Sequence, residues 1–221
     1  AEIDGKRVGS IGHTAAFSFY ATKNILTGEG GMVTTNDEEI YDRMLMIKNH
    51  GRGKQGGYSH FQIGYNYRMM DIVAAIGVTQ MKRMNYVIKK RRENAAEYNK
   101  FFAELDSIQP QVADAGFESA YHLYAPKLYA EKLTRDEMVN ALRNEGVGAR
   151  PVYALPCHKQ DTYINIQKWR WAKFVKYPNY QKLSLPNSED VGARHFDIPV
   201  HPSLTQEEKE TIRNAFVKIL R

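Results

Sequence analysis

A chain of 221 residues with 43% hydrophobic and 25% charged residues is of ordinary globular composition, long enough for one sizeable core or two modest ones. It has no run of about 18 apolar residues and no basic-then-apolar leader, so neither a spanning segment nor export is indicated; a cytoplasmic setting without a membrane partner is the default expectation. The net charge of +6 is dispersed among many acids, which suits a phosphorylated small substrate at least as well as a nucleic acid, and the single cysteine, Cys157, excludes an internal disulfide.

The chain opens at Ala1, and Asp4-Gly5 reads as a turn between two short segments, as though upstream chain had been removed. Ala15 to Tyr20 and Gly31 to Thr35 read as short strands joined by the Thr27 to Gly31 turn. Glycines recur at Gly51, Gly53, Gly56 and Gly57, interleaved with Arg52 and Lys54, which marks a mobile loop. Asp71 is a candidate N-cap for a long helix whose later half repeats apolar residues at Met84, Val87, Ile88, Ala95, Tyr98, Phe101, Phe102 and Leu105. Beyond Pro110, Tyr121 to Tyr129 reads as a strand. Thr134 and Glu137 form a capping box for a helix ending near Gly146, and Thr205 and Glu208 open a terminal helix with Ile212, Phe216 and Ile219 on one face. The pattern is α/β, with a first domain over residues 1–105 that includes the long bridging helix and a smaller α/β domain over 106–221. No His/Cys cluster has metal-ligand spacing, so no metal is expected.

Lys23 is the residue that this pattern leaves to be explained. A lysine between a strand and a turn is usually solvated or snorkelling. Its company suggests more, because an amine flanked by aromatic residues can be desolvated into a nucleophile for a carbonyl, the requirement for a Schiff base. Ser18, Thr22 and the glycine-rich backbone that follows supply hydroxyl and N–H groups suited to a phosphate. Lysine with a phosphate cradle points to pyridoxal 5'-phosphate. The Gly28-Glu29-Gly30-Gly31 run is not a nucleotide P-loop, since G-x-x-x-x-G-K-[ST] does not occur.

Phe17-Ser18-Phe19-Tyr20-Ala21-Thr22-Lys23-Asn24, followed by Gly28-Glu29-Gly30-Gly31-Met32-Val33-Thr34-Thr35-Asn36, resembles the Schiff-base lysine segment of the DegT/DnrJ/EryC1/StrS sugar aminotransferases. Similarity continues in Asn49-His50-Gly51, in Gly64-Tyr65-Asn66-Tyr67-Arg68-Met69, in Gln80-Met81 and in Ile198-Pro199-Val200-His201-Pro202. It is looser from Leu105 to Tyr121. The resemblance implies a fold-type-I pyridoxal-phosphate-dependent transferase: part of a large domain with a mostly parallel sheet, a small C-terminal domain, and a homodimer with shared active sites. It also implies amino transfer from glutamate to a nucleotide-linked keto-sugar in amino-sugar biosynthesis.

By that resemblance Lys23 is the catalytic lysine and a cofactor ligand. Ser18 matches the position that binds the cofactor phosphate, Asn66 the asparagine that reaches the neighbouring subunit's phosphate, and Arg68 an arginine near donor carboxylate or sugar. A guanidinium suits a carboxylate because two parallel N–H groups meet two oxygens. The bland alternative for Ser18 is a strand hydroxyl bonded to backbone, and for Asn66 and Arg68 it is turn and surface residues. Tyr153 and His158 lie in Val152-Tyr153-Ala154-Leu155-Pro156-Cys157-His158, similar to a family segment His-Tyr-Pro-x-Pro-Leu-His beside the sugar. Here Val152 and Ala154 replace the first histidine and the first proline. Tyr153 is the better candidate for substrate contact, and His158 is divided between site and structure.

The family's upstream Glu-Asp-x-Ala stretch, whose aspartate pairs with the pyridine nitrogen, does not occur. The expectation is the C-terminal part of a longer enzyme, with sheet edge and apolar surface exposed. Lys23 argues against the related sugar dehydratases, which carry histidine there. A non-catalytic regulatory or interaction protein of the same descent stays open.

Overall fold

A computed structural model describes residues 1–221. In chain order the elements are β1 (Glu2–Ile3), β2 (Lys6–Arg7), β3 (Thr14–Ser18), β4 (Gly31–Thr35), α1 (Glu38–Ile47), α2 (Asp71–Phe102), β5 (Ile108–Gln109), β6 (Phe117–Glu118), β7 (Lys127–Leu128), α3 (Arg135–Asn144), α4 (Asp161–Ile164), α5 (Pro186–Arg194) and α6 (Gln206–Leu220). They form two compact units, one of Ala1–Arg92 with Ala113–His122, the other of Glu93–Val112 with Leu123–Arg221.

In the first unit Asp4 and Gly5 both take positive φ, +48° and +73°, the backbone that a two-residue hairpin turn needs. They close β1 on β2, and β6 pairs with the other edge of β1, placing Ile3 opposite Phe117. β3 and β4 form a second antiparallel ribbon in which Ala15 faces Thr34 and Ser18 faces Gly31. The named ladders of this chain are all antiparallel, so the parallel pairing that the resemblance implies is not made by its own strands. Asp37 caps α1 by accepting from the Ile40 N–H, and α2 begins at Asp71 itself. Val87 is this unit's one buried large apolar side chain, while Ile63, Tyr67, Met70 and Ile72 are exposed.

The second unit has a core of its own. Phe102 from α2, Met138, Val139 and Leu142 from α3, Phe216 from α6, and Tyr124, Phe196 and Ile198 from the intervening chain are all buried. Phe102 and Phe216 meet edge to face at 4.7 Å between ring centroids, and Tyr98 and Tyr124 pack at 5.1 Å. The helices enter this core through two complete capping boxes, Thr134 with Glu137 and Thr205 with Glu208. Gly146, at φ +84°, follows the end of α3.

The strand read over Tyr121 to Tyr129 is a correction: only Lys127–Leu128 forms a ladder, on β5, with an isolated bridge from Tyr124 to Ile198. Pro126 has no N–H to give a ladder, and Tyr121 has φ +41°, outside strand geometry. Because Phe216 is fully buried among three aromatic rings and α3, Phe216→Ala is expected to cost about 3–5 kcal/mol, measured as a lowered urea midpoint of the second unit.

Candidate functional site

The loop between β3 and β4 is shaped by short backbone bonds. The Phe19 N–H donates to Gly30 O and the Thr27 N–H to Phe19 O, both at 2.8 Å, and the Lys23 N–H donates to Tyr20 O at 2.9 Å. Thr27 is buried and its hydroxyl donates to Glu29 O at 2.7 Å. A Cβ at Gly30, where φ is +151°, would lie 2.7 Å from Thr27 Oγ1 and 3.2 Å from Met69 Cε, so only glycine lets the chain pass. Lys23 is left half-buried on the near side of this loop.

Its Nζ lies 3.3 Å from His122 Nε2. The imidazole arrives from far along the chain because residues 113–122 return to the first unit and are held there at several points. Asn24 Nδ2 donates to Ala120 O at 2.8 Å, Arg92 Nε to Ser119 O at 2.9 Å, and Arg92 also pairs with Glu118 at 2.7 Å. Arg91 donates to two successive carbonyls, Tyr121 O at 3.0 Å and His122 O at 3.2 Å. Asn24 Oδ1 is buried and unpartnered within the chain. Ser18 is exposed at the end of β3, where its hydroxyl accepts only a long bond, 3.3 Å, from the Tyr20 N–H.

Asn66 and Arg68 lie on a strip that runs beside residues 47–51: the Tyr65 N–H donates to Ile47 O at 2.7 Å, and Asn49 and Asn66 form a bridge. A Cβ at Gly51 would stand 1.7 Å from Gln62 O, which is why the strip can approach so closely. Arg68 donates to Asn49 Oδ1 at 2.7 Å. The Asn66 side chain is exposed and forms no hydrogen bond within the chain. The adjacent glycine loop is tied by Lys54 to Asp42 at 2.6 Å and by Arg52 over the Tyr58 ring at 4.6 Å.

Tyr153 and His158 belong to the second unit. Tyr153 is 71% exposed, whereas His158 is 6% exposed, with Nε2 2.9 Å from Glu189 Oε1. Glu189 also accepts from the Leu185 N–H at 2.9 Å and pairs with Lys159. The His158 bond foremost, then the Leu185 N–H, pull the Glu189 carboxyl down to about 2.

Residues 1–217 match the DegT/DnrJ/EryC1/StrS aminotransferase family over essentially the whole chain. The chain belongs to that family. It is 37% identical over 208 residues to the GDP-perosamine synthase of Escherichia coli O157:H7, covering 94% of this chain and 52% of that protein. Among solved structures, a DegT DnrJ EryC1 StrS aminotransferase from Brucella abortus superposes with a TM-score of 0.84 at 27% identity, over 99% of this chain and 54% of the other. The sugar aminotransferase Spr1654 of Streptococcus pneumoniae, described as putative and solved in its PMP form, superposes at 0.78 and 26% identity, over 99% and 55%. The chain spans about half the length of the curated relatives it matches. Its fold is thus part of the fold-type-I architecture of these aminotransferases.

Of the residues singled out by resemblance to the family, Ser18 and Lys23 lie on one ribbon and its loop, and Asn66 and Arg68 share the neighbouring strip. Neither Asn66 nor Arg68 bonds to Lys23 or Ser18. His122 was not singled out. Its one sequence signal is a histidine flanked by tyrosines and leucine, Tyr121-His122-Leu123-Tyr124, where polarity interrupts an apolar run.

The Glu189 carboxyl, held below its ordinary value near 4.5, stabilises the fold fully above that value and loses its contribution as pH falls from about 4.5 through about 2. Urea midpoints measured across that window are expected to fall more steeply for the unaltered chain than for Glu189→Gln.

Proposed function

We propose that this chain carries the lysine-bearing part of a pyridoxal-phosphate-dependent aminotransferase that moves an amino group from glutamate to a nucleotide-linked keto-sugar. The observation that carries this reading is the half-buried Lys23 amine on a glycine-shaped loop, 3.3 Å from His122. Family membership supports it, and so does the likeness to a GDP-perosamine synthase.

The residues present fit the cofactor. A primary amine is available for a carbonyl, an exposed hydroxyl stands at Ser18, and Gly28, with open space where a Cβ would stand, leaves backbone room for a phosphate. Pyridoxal phosphate, when bound, supplies an electron sink for the negative charge that develops at the donor's α-carbon. Lys23 Nζ is the nucleophile and the atom that carries the proton in the exchange. His122 Nε2 fixes the direction of that amine, so that it spends less time in unproductive rotamers. Ser18 donates its hydroxyl proton to phosphate oxygen, and Arg68, steadied by Asn49, presents N–H groups to a carboxylate.

Asn66 has no partner in its own chain and sits among exposed Ile63, Tyr67, Met70 and Ile72. That setting favours its reaching a second copy's site in a homodimer, with this apolar face at the shared interface. Tyr153 is the proposed sugar contact. His158, committed to Glu189, steadies the segment that carries Tyr153.

Incubation with pyridoxal phosphate, borohydride reduction and peptide mass mapping are expected to find a pyridoxyl adduct on Lys23 that Lys23→Ala removes. His122→Gln is expected to slow adduct formation by about ten- to a hundredfold while the circular dichroism spectrum is unchanged. Absence of any adduct on Lys23 would favour a binding or regulatory protein built on the same fold.

A further inference from the structure

The dispersed charge of the whole chain conceals one segment of a different kind. Between Asp161 and Glu189 there are five cations, Lys168, Arg170, Lys173, Lys176 and Lys182, and no acid. None of these five takes part in an ion pair with a carboxylate, whereas Lys127, Lys159, Arg194, Lys209 and Lys218 of the same unit each do. Interleaved with them are Trp169, Trp171, Phe174, Val175 and Tyr177, all exposed, with Trp171 at 55% and Phe174 at 72%. Tyr98, Phe101, Phe102, Tyr124, Phe196 and Phe216 of the same unit are buried, so a run of exposed aromatics here is a departure from the packing of its core.

The local backbone presents these side chains rather than leaving them loose. Two tight turns, Ile166–Lys168 and Ala172–Phe174, satisfy their own N–H groups: Trp169 N donates to Ile166 O, and Phe174 N to Trp171 O, both at 2.9 Å. Behind them Tyr163 packs on Tyr180 at 5.2 Å and on Trp169 at 6.4 Å, beside a groove of about 360 Å³ lined by Tyr163, Ile166 and Tyr177. The segment is therefore a seated, aromatic and basic face.

We propose that residues 166–182 form a peripheral docking face for an anionic membrane surface. Tryptophan and tyrosine, apolar in body and polar at the edge, favour the headgroup level, while unpaired lysine and arginine are drawn to anionic headgroups. No helix of this chain is long and apolar enough to cross a membrane, so the contact lies on the surface. Charge decides against a second copy as occupant, because like faces would oppose five cations to five. A single-stranded nucleic acid would need free ring faces for stacking. Arg170 already lies 4.0 Å over the Trp171 ring and Lys173 Nζ 4.9 Å over that of Phe174, and exposed Val175 suits acyl chain rather than base. The proposal stands apart from the aminotransferase reading and does not depend on Lys23.

The chain's two tryptophans, Trp169 and Trp171, are both in this segment, so intrinsic emission reports on it directly. Titration with phosphatidylcholine vesicles containing phosphatidylglycerol is expected to shift the emission to the blue and to co-sediment the protein. Vesicles of phosphatidylcholine alone should do neither, and raised salt should reverse the binding. The partition coefficient is expected to fall by about a hundredfold in Lys168→Gln/Lys173→Gln/Lys176→Gln, with circular dichroism confirming that the fold is kept. An unshifted emission with anionic vesicles, or equal binding to neutral ones, overturns the proposal. So does a blue shift produced by oligothymidylate or by protein concentration alone, which would assign the face to nucleic acid or to a second copy.

Discussion

The geometry around Lys23 depends on one guanidinium. Arg91 is 9% exposed and donates to the carbonyls of Tyr121 and His122, two successive groups that would otherwise lack these donors at the end of a returning segment. A charged donor makes a hydrogen bond roughly twice as strong as a neutral one. Because Tyr121 also sits at a positive φ, its backbone must be held by something outside itself. Arg91 and the Ser119 hydroxyl, which accepts from the Tyr121 N–H at 3.0 Å, do this together. The imidazole next in sequence inherits its position from them.

The two units divide stability and chemistry unequally. The second buries aromatic rings against three helices and supplies most of the apolar area removed from water. The first buries Val87 and Thr27, and its order rests on bonds rather than on burial: the loop at Thr27, the clamp on residues 113–122, and the strip beside residues 47–51. Such a unit holds polar groups in place without a thick core, at the cost of apolar surface left in water. The exposed Ile63, Met70 and Ile72 are that cost.

Much of this was legible where local chemistry dictates backbone. Both capping boxes, the Asp4-Gly5 turn, the two ends of β4 and the glycine after α3 follow from side chains that bond to, or free, the nearest peptide groups. The lysine loop was legible for the same reason, since Gly30 and Gly31 mark where no Cβ fits. The strand read over Tyr121 to Tyr129 failed because alternation of apolar residues says nothing of Pro126 interrupting the ladder or of Tyr121 leaving extended geometry. β6 is two residues long and carries no periodicity, so the return of residues 113–122 was invisible.

The two histidines make the same point in opposite directions. His158 lies in a motif-like segment, yet burial and Glu189 account for its environment fully. His122 lies at the end of the stretch where resemblance is weakest, yet it stands 3.3 Å from the Lys23 amine. A motif reports which residues are near one another in sequence, whereas a contact between side chains is set by distance across the fold. Here that distance is fixed by Asn24, Arg91 and Arg92 acting on main-chain carbonyls, which are present at every residue and leave no trace in residue type. A site assembled through main-chain acceptors is therefore the part of such a protein that its sequence hides best.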